Sequence, residues 1–290
     1  METERVAVIT PTFNRENLLE DCVRSAAAQT HPGVVIYVCD DHSTDRTDAL
    51  MDRLAAEIPS LRYLRNRHAK GPQGPRITAL EEGTEEFVAF LDSDNRYHPN
   101  AVSRCLEAFR ADPSIDVVCF GQECVHHGSA RGSELEWIEN LIPELEGDIL
   151  GPLLRTEVAV DMGNCVIRRA ALERAGGLDE DLPAYNDLEL HIRLARFARY
   201  HSIPEVLMTY LVHGDQITAN SLLRGRGLLR ITRRHRALFE EAGAMETIMM
   251  RIFGHANHAP GPGGYQLAFQ AFALAPMASL RALSARVLRR

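Results

Sequence analysis

Asp92 and Asp94 stand one residue apart in Leu91-Asp92-Ser93-Asp94-Asn95, directly after the apolar run 87–91. The run is short, apolar and rich in aromatic and β-branched residues, so it reads as a buried strand that delivers both acids to its carboxyl end. Open α/β sheets bind ligands at that edge, and two carboxylates there suit a hard divalent cation that also holds phosphate oxygens. The same residues also read as an Asp-rich turn, because Asp-x-Asp alone is a weak motif. Asp40-Asp41 repeats the arrangement after 34–39. These acids could accept hydrogen bonds from a base N–H or from ribose hydroxyls, or they could favour the positive end of a helix capped by Ser43 or Thr44. Between the two acidic pairs runs a loop with Arg65, Arg67, Lys70 and Arg76, two glycines and two prolines. It would let backbone and charge approach a phosphate, and a solvated loop would have the same composition.

The elements that must position these residues alternate. Residues 6–10 predict a strand broken by Pro11, after which Asn14 caps a helix with Leu18, Leu19, Cys22, Val23 and Ala26 on one face. The turn at 10–15 has no glycine, which disfavours a dinucleotide-binding Gly-x-Gly-x-x-Gly turn. Strands at 34–39, 61–64, 87–91 and 115–120 alternate with helices at about 45–58, 77–82 and 99–110. Such alternation implies an α/β fold, a mainly parallel sheet flanked by helices and joined by right-handed crossovers.

Composition bounds the partners. The 290 residues, 45% hydrophobic and 25% charged, are ordinary for a globular chain able to bury a full core. A formal charge of −8 argues against a nucleic-acid binder but not against small anionic ligands. The amino terminus lacks a signal-peptide pattern and no apolar run is long enough to span a bilayer, so a cytoplasmic location is expected. Six scattered cysteines read as reduced core residues, and the group Cys119, Cys124, His126 and His127 has no usual zinc spacing.

Together, Val-Ile-Thr-Pro-Thr-Phe-Asn-Arg at 8–15, the Asp40-Asp41-x-Ser-x-Asp turn, the glycine-bearing loop ending at Arg76, and Leu-Asp-Ser-Asp-Asn at 91–95 resemble the family 2 inverting glycosyltransferases, over roughly residues 5–220. Four ordered motifs are far more specific than any one of them. The resemblance implies a Rossmann-like GT-A fold, a nucleotide-diphosphate sugar donor (UDP- or dTDP-linked by family habit), Mn²⁺ or Mg²⁺, and inverting transfer to an unidentified acceptor hydroxyl. It puts Pro11, Thr12, Asn14, Arg15, Asp40, Asp41, Arg76, Asp92 and Ser93 at the nucleotide, with Asp41 as the base-binding acid. It makes Asp94 the metal ligand, aided by Asp92. The loop departs from the family by ending Pro-Arg-Ile instead of Ala-Arg-Asn. A sugar nucleotidyltransferase would need a Gly-rich basic loop after the first strand, which Pro11-Thr12-Phe13 does not supply. A binding protein that kept the fold without turnover is the non-enzymatic alternative.

The second half is expected to hold the acceptor, so the chain divides into a nucleotide-sugar-binding half (1–120), an acceptor-binding half (121–220) and a basic helical C-terminal extension (221–290). Trp137, among helix-spaced apolar residues at 134–145, could shape an acceptor pocket but fits a core role better. Gly176-Gly177-Leu178-Asp179-Glu180 and Asn186-Asp187-Leu188-Glu189-Leu190 resemble the family's Gly-Gly-Phe-Asp-Glu and Glu-Asp-x-Asp-Leu segments. By that match Asp187 is the catalytic base, with Glu189 and Asp179 as rivals, though an acid there also favours a helix amino terminus. His213 falls where the family can place a metal or diphosphate ligand, and a structural histidine is the plain alternative. The six arginines at 224–236 and the Arg-rich end suit either a peripheral contact with an inner membrane surface or a helical face packed on the body or on a second copy.

Overall fold

The computed structural model describes residues 3–126, 137–212, 220–259 and 261–288. The chain forms two units: Met1–Asp148 with Val160–Glu180 and Arg193–His213, and Ile149–Ala159 with Asp181–Ile192 and Gly214–Arg290.

The first unit begins with the expected alternation. Strands β1 (Val6–Thr12), β2 (Val34–Asp40), β3 (Leu61–Arg65) and β4 (Phe87–Phe90) are separated by helices α1 (Leu19–Ala27), α2 (Thr47–Glu57) and α3 (Gln73–Glu82). All four strands pair in parallel in the order β3-β2-β1-β4. Their apolar runs are buried: Val6, Val8, Ile36, Val38, Phe87 and Ala89 share one core with Leu19, Cys22 and Val23 of α1 and Met51 and Leu54 of α2. Parallel strands covered on both faces need such runs.

Then the pattern changes. After β5 (Arg96–Tyr97), α4 (Ala101–Ala111), β6 (Val117–His126), β7 (Trp137–Leu141), β8 (Glu146–Gly147), the short α5 (Leu150–Leu154), β9 (Cys165–Arg168), α6 (Arg169–Arg174), α7 (Asn186–Leu194) and β10 (Tyr200–Val212), the sheet continues β4-β9-β6-β10-β5. Strand β9 is antiparallel to both β4 and β6, and β10 is parallel to β6. The second unit is chiefly helical, with α8 (Ser221–Arg234), α9 (Arg236–Glu241), α10 (Met245–His258), α11 (Pro262–Leu274) and α12 (Pro276–Leu288).

Several local expectations are corrected. Helix α3 begins at Gln73, not at 77, because Pro75 lies in the first turn, where its missing N–H has no helical partner to lose. Asn14 does not cap α1. It takes a positive φ of 51° and reaches sideways, its Oδ1 accepting from the Thr44 amide at 2.7 Å. Neither Ser43 nor Thr44 caps α2, since Asp45 Oδ1 accepts from the Thr47 amide at 3.0 Å. The stretch around Trp137 is strand β7, antiparallel to β6, so pairing with a neighbour overrides its helix-like spacing. Strand β10 starts at Tyr200 and passes Pro204 by a register shift between Ile203 and Val206, the irregularity a proline inside a sheet requires. The six cysteines are free and buried.

Candidate functional site

The carboxyl ends of β1, β2, β3 and β4 form one edge of the first unit. Register puts Thr12 beside Asp40 and Asp40 beside Arg65, so three successive strands release their loops together. This edge is the candidate site.

Asp40 and Asp41 do different work. Asp40 is fully buried, and its carboxylate accepts from the Ser43 amide (3.0 and 3.2 Å), the Ser43 hydroxyl and the Arg65 guanidinium. With its lone-pair sites taken, it holds the turn. Asp41 accepts from Asn66 Nδ2 at 2.7 Å and from the Gly71 amide at 2.9 Å. It therefore fastens the basic loop to β2 and keeps acceptor capacity in reserve. Asn66 extends the lock: its Oδ1 accepts from the His68 amide at 2.9 Å and its Nδ2 also donates to the Ala69 carbonyl at 3.1 Å. Gly74 lies so close beneath this loop that a Cβ on it would stand 2.2 Å from the Ala69 carbonyl oxygen and 2.9 Å from the Asn66 amide. Asn66 is not among the residues singled out from sequence, although it stands one residue past a parallel strand, the same signal that marks Asp41.

Beyond β4, burial alternates. Leu91, Ser93 and Asn95 are buried while Asp92 and Asp94 are part exposed. The Asn95 amide donates to the Asp92 carbonyl at 2.9 Å, closing a tight turn, and Asn95 Oδ1 accepts from the Leu211 amide of β10 at 3.1 Å. Asp92 and Asp94 thus reach the surface between the buried Leu91, Ser93 and Asn95. Arg76, itself buried, ion-pairs with Asp92 through Nη2, donates Nη1 to the Pro72 carbonyl at 3.3 Å, and has no partner for Nε. Gln73, one turn earlier on α3, is buried with neither amide atom bonded. Sequence reading gave no signal for it.

Asp161 is a third acid here that no sequence pattern announced. Its Oδ1 accepts from the Gly163 amide at 2.8 Å, and the buried Tyr97 hydroxyl lies 2.8 Å from both the Gly163 and Phe90 carbonyls, tying that turn to the end of β4. Burial and then the negative charges of Asp92 and Asp94 push the Asp161 carboxyl above its ordinary value, against the Gly163 hydrogen bond and Arg76.

Two part-exposed carboxylates one residue apart at a strand end suit Mg²⁺ or Mn²⁺, which keep several waters and take further oxygens from substrate phosphates. Among the described residues no three His, Cys, Asp or Glu converge as a closed cage. His213, the expected third ligand, lies outside the described residues. Of the remaining predicted residues, Pro11 and Arg15 are part buried, Thr12 is buried with its hydroxyl unbonded, and Asn14 joins the 14–15 turn to Ser43 and Thr44. Phe13, 40% exposed, carries the Lys70 ammonium 4.1 Å from its ring centroid.

In the second unit, Asp187 opens α7 behind Tyr185, which takes a positive φ of 63°. A bulky residue in that region is strained and must be held. The holders are distant in sequence: the Tyr185 hydroxyl meets His255 Nε2 and Arg224 Nη2, each at 2.9 Å. Gly227 lets α8 press on the segment, since a Cβ there would lie 2.5 Å from the Ala184 carbonyl oxygen. Glu189, 1% exposed, is bound to Arg234 at 2.9 Å and His235 at 3.2 Å. Asp187 differs in burial, being part exposed.

Known proteins resemble this chain to different depths. The model of glycosyl transferase family 2 matches residues 7–176, a span containing both acidic turns, the locked loop and Arg76. A Campylobacter jejuni GalNAc(5)-diNAcBac-PP-undecaprenol beta-1,3-glucosyltransferase is 35% identical over 104 residues, 36% of this chain and 34% of that protein. The chain spans no more than about a third of the length of the first relatives it matches. Among solved structures, residues 1–349 of S. aureus TarS, in complex with UDP-GlcNAc, superpose with a TM-score of 0.64 at 15% identity, covering 96% of this chain and 89% of that one. The Pyrobaculum calidifontis mannosyltransferase PcManGT, in complex with GDP-Man and Mn²⁺, gives 0.62 at 21%, covering 100% and 81%. These likenesses establish the GT-A fold. With the family match spanning the parallel strands and every loop of the edge they carry, the chain belongs to glycosyl transferase family 2.

Proposed function

We propose that the chain is a metal-dependent, inverting glycosyltransferase that moves a sugar from a nucleotide-diphosphate sugar, UDP-linked by preference, to an acceptor hydroxyl. The observation that carries this reading is the pair Asp92 and Asp94, both part exposed just past β4 among the buried Leu91, Ser93 and Asn95. A Mn²⁺ or Mg²⁺ ion held there would supply neutralisation of the leaving nucleoside diphosphate. Arg76 fixes Asp92 by its ion pair. Asp41, positioned by Asn66 and Gly71, accepts a hydrogen bond from the base, and Asp40 acts through the turn it closes. Ser93, Pro11, Thr12, Asn14 and Arg15 complete the nucleotide surface.

Inversion needs one carboxylate to take the acceptor proton as its oxygen attacks. We assign this to Asp187, supported by its place in the family segment and by the strained, tethered backbone before it. Glu189 is a poorer base because Arg234 and His235 stabilise its charged form. The acceptor class we favour is a sugar hydroxyl on a diphosphate-linked lipid, from the name of the C. jejuni relative, with the reaction on the cytoplasmic side. Incubation with UDP-sugars and Mn²⁺ tests the reading: release of UDP supports it. Conversion of the UDP-sugar and added pyrophosphate to UTP and a sugar 1-phosphate would make the protein a nucleotidyltransferase, and donor binding with no turnover would make it a binding protein.

A further inference from the structure

Among the described residues, nine large apolar side chains are exposed, and six of them fall on α11 and α12. On α11 they are Tyr265, Phe269 and Phe272, spaced i, i+4, i+7 on one side, and on α12 Met277, Leu280 and Leu283 at three-residue intervals. Tyr265 is 83% exposed, Phe269 73% and Met277 65%. Helix α11 contains no charged residue at all. Its other side is already used, with Gly264, Leu267 and Ala271 buried, so an uncharged helix whose polar side chains are Gln266 and Gln270 turns three aromatic rings to water on its outer side, a state that marks an interaction surface.

The corner between the two helices is fixed. They are joined by Ala275 alone, and the buried Ser279 donates its hydroxyl to the Ala271 carbonyl at 3.3 Å and its amide to the Ala275 carbonyl at 2.9 Å. The stripes are therefore presented by a braced pair of helices.

Charge chooses the occupant. Residues 262–290 hold four arginines and no acid. The arginines of 224–236 are different, because Arg224 meets Tyr185, Arg230 meets Asp181, Arg234 meets Glu189 and Arg236 meets Glu240. The basic stretch that stands out in the sequence is thus largely spent on tethering its own unit, whereas Arg281 stands exposed beside Met277 and Leu280. The acids that reach this corner are Glu240 and Glu246, in one hollow with Met277 and Arg281, and Glu240 is already paired with Arg236. An anionic bilayer answers both features, taking aromatic and aliphatic side chains at the headgroup level and arginines at its charged surface. We propose that the α11–α12 face docks peripherally on an anionic lipid surface. The inference rests on the second unit alone and does not require the transferase reading.

Vesicle flotation of the full chain tests it, with phosphatidylglycerol-containing and pure phosphatidylcholine vesicles at low and high salt. Binding should require the anionic lipid and weaken as salt screens it. Tyr265→Ser/Phe269→Ser and, separately, Arg281→Glu should each cut partitioning by about tenfold or more while the circular dichroism spectrum stays unchanged. Light scattering without lipid should show no oligomer that either variant dissolves. Absence of anionic vesicle binding by the parent chain, binding indifferent to lipid charge, variants that bind like the parent, or a dimer abolished by the double substitution would each overturn the proposal.

Discussion

The acidic strand-end edge of the first unit, the proposed donor site, and the Asp187 segment of the second are built by opposite means. At the edge, each acid is placed by the strand directly before it: β2 ends at Asp40, β4 stops just short of Asp92, and hydrogen bonds across neighbouring loops finish the job. At Asp187 no strand sets the position. A backbone at positive φ is held by Arg224 and His255, residues 39 and 70 positions away. Placement from a strand end survives local change, whereas placement by tethers depends on helices that are themselves packed by non-local contacts.

Substitutions can break that comparison, and the largest effect is expected on turnover. Asp187→Asn keeps the shape but cannot take a proton, so turnover should fall by roughly a hundredfold or more with donor affinity near that of the parent. Glu189→Gln should instead appear in stability, by about 1–3 kcal/mol, since it removes a buried charge that Arg234 and His235 need. Kinetics and urea titrations on both variants check this, and near-normal turnover of the Asp187 variant would move the base elsewhere.

At the edge, Gly74→Ala should push the Ala69–Asn66 loop away and destabilise by about 1–3 kcal/mol, as overpacking does. Nucleoside diphosphate affinity should fall with it, and calorimetry showing parent affinity would mean the loop has no part in binding.

The smallest effect is a pH dependence. Burial pushes His191 down to about 3, so the folded protein keeps it neutral while the unfolded chain protonates it near 6.5. Its contribution is fully present above about pH 6.5 and is lost as the pH falls toward 3. Between pH 6.5 and 5 the loss should reach about 1–2 kcal/mol. His191→Gln should remove that increment from the acid limb of urea-measured stability, and parallel limbs would refute it.

The same contrast governs what the sequence reveals. Apolar runs followed by acids mark β2 and β4 with their loops, because cause and consequence are adjacent in the chain. Asn66 carries the same mark. Asp161 does not, since its place depends on Tyr97 bridging Phe90 and Gly163, contacts between segments about seventy residues apart. The role of Arg224 in holding Tyr185 is equally hidden, for an arginine in a basic helix looks alike whether solvated or tethered. Trp137 misleads for a related reason: its segment pairs with β6, and pairing is invisible to a local period.

Titration calorimetry of a UDP-sugar into the parent chain and Asp94→Asn, each with Mn²⁺ and with a chelator, addresses the donor edge most directly. The parent should bind much more tightly with metal than without. The variant should melt at the parent's temperature and show the weak, metal-independent affinity in both conditions, because Asp94 lies past the strand end and outside the core. Metal-dependent affinity retained in full by Asp94→Asn would contradict the assignment of the edge as the metal and donor site.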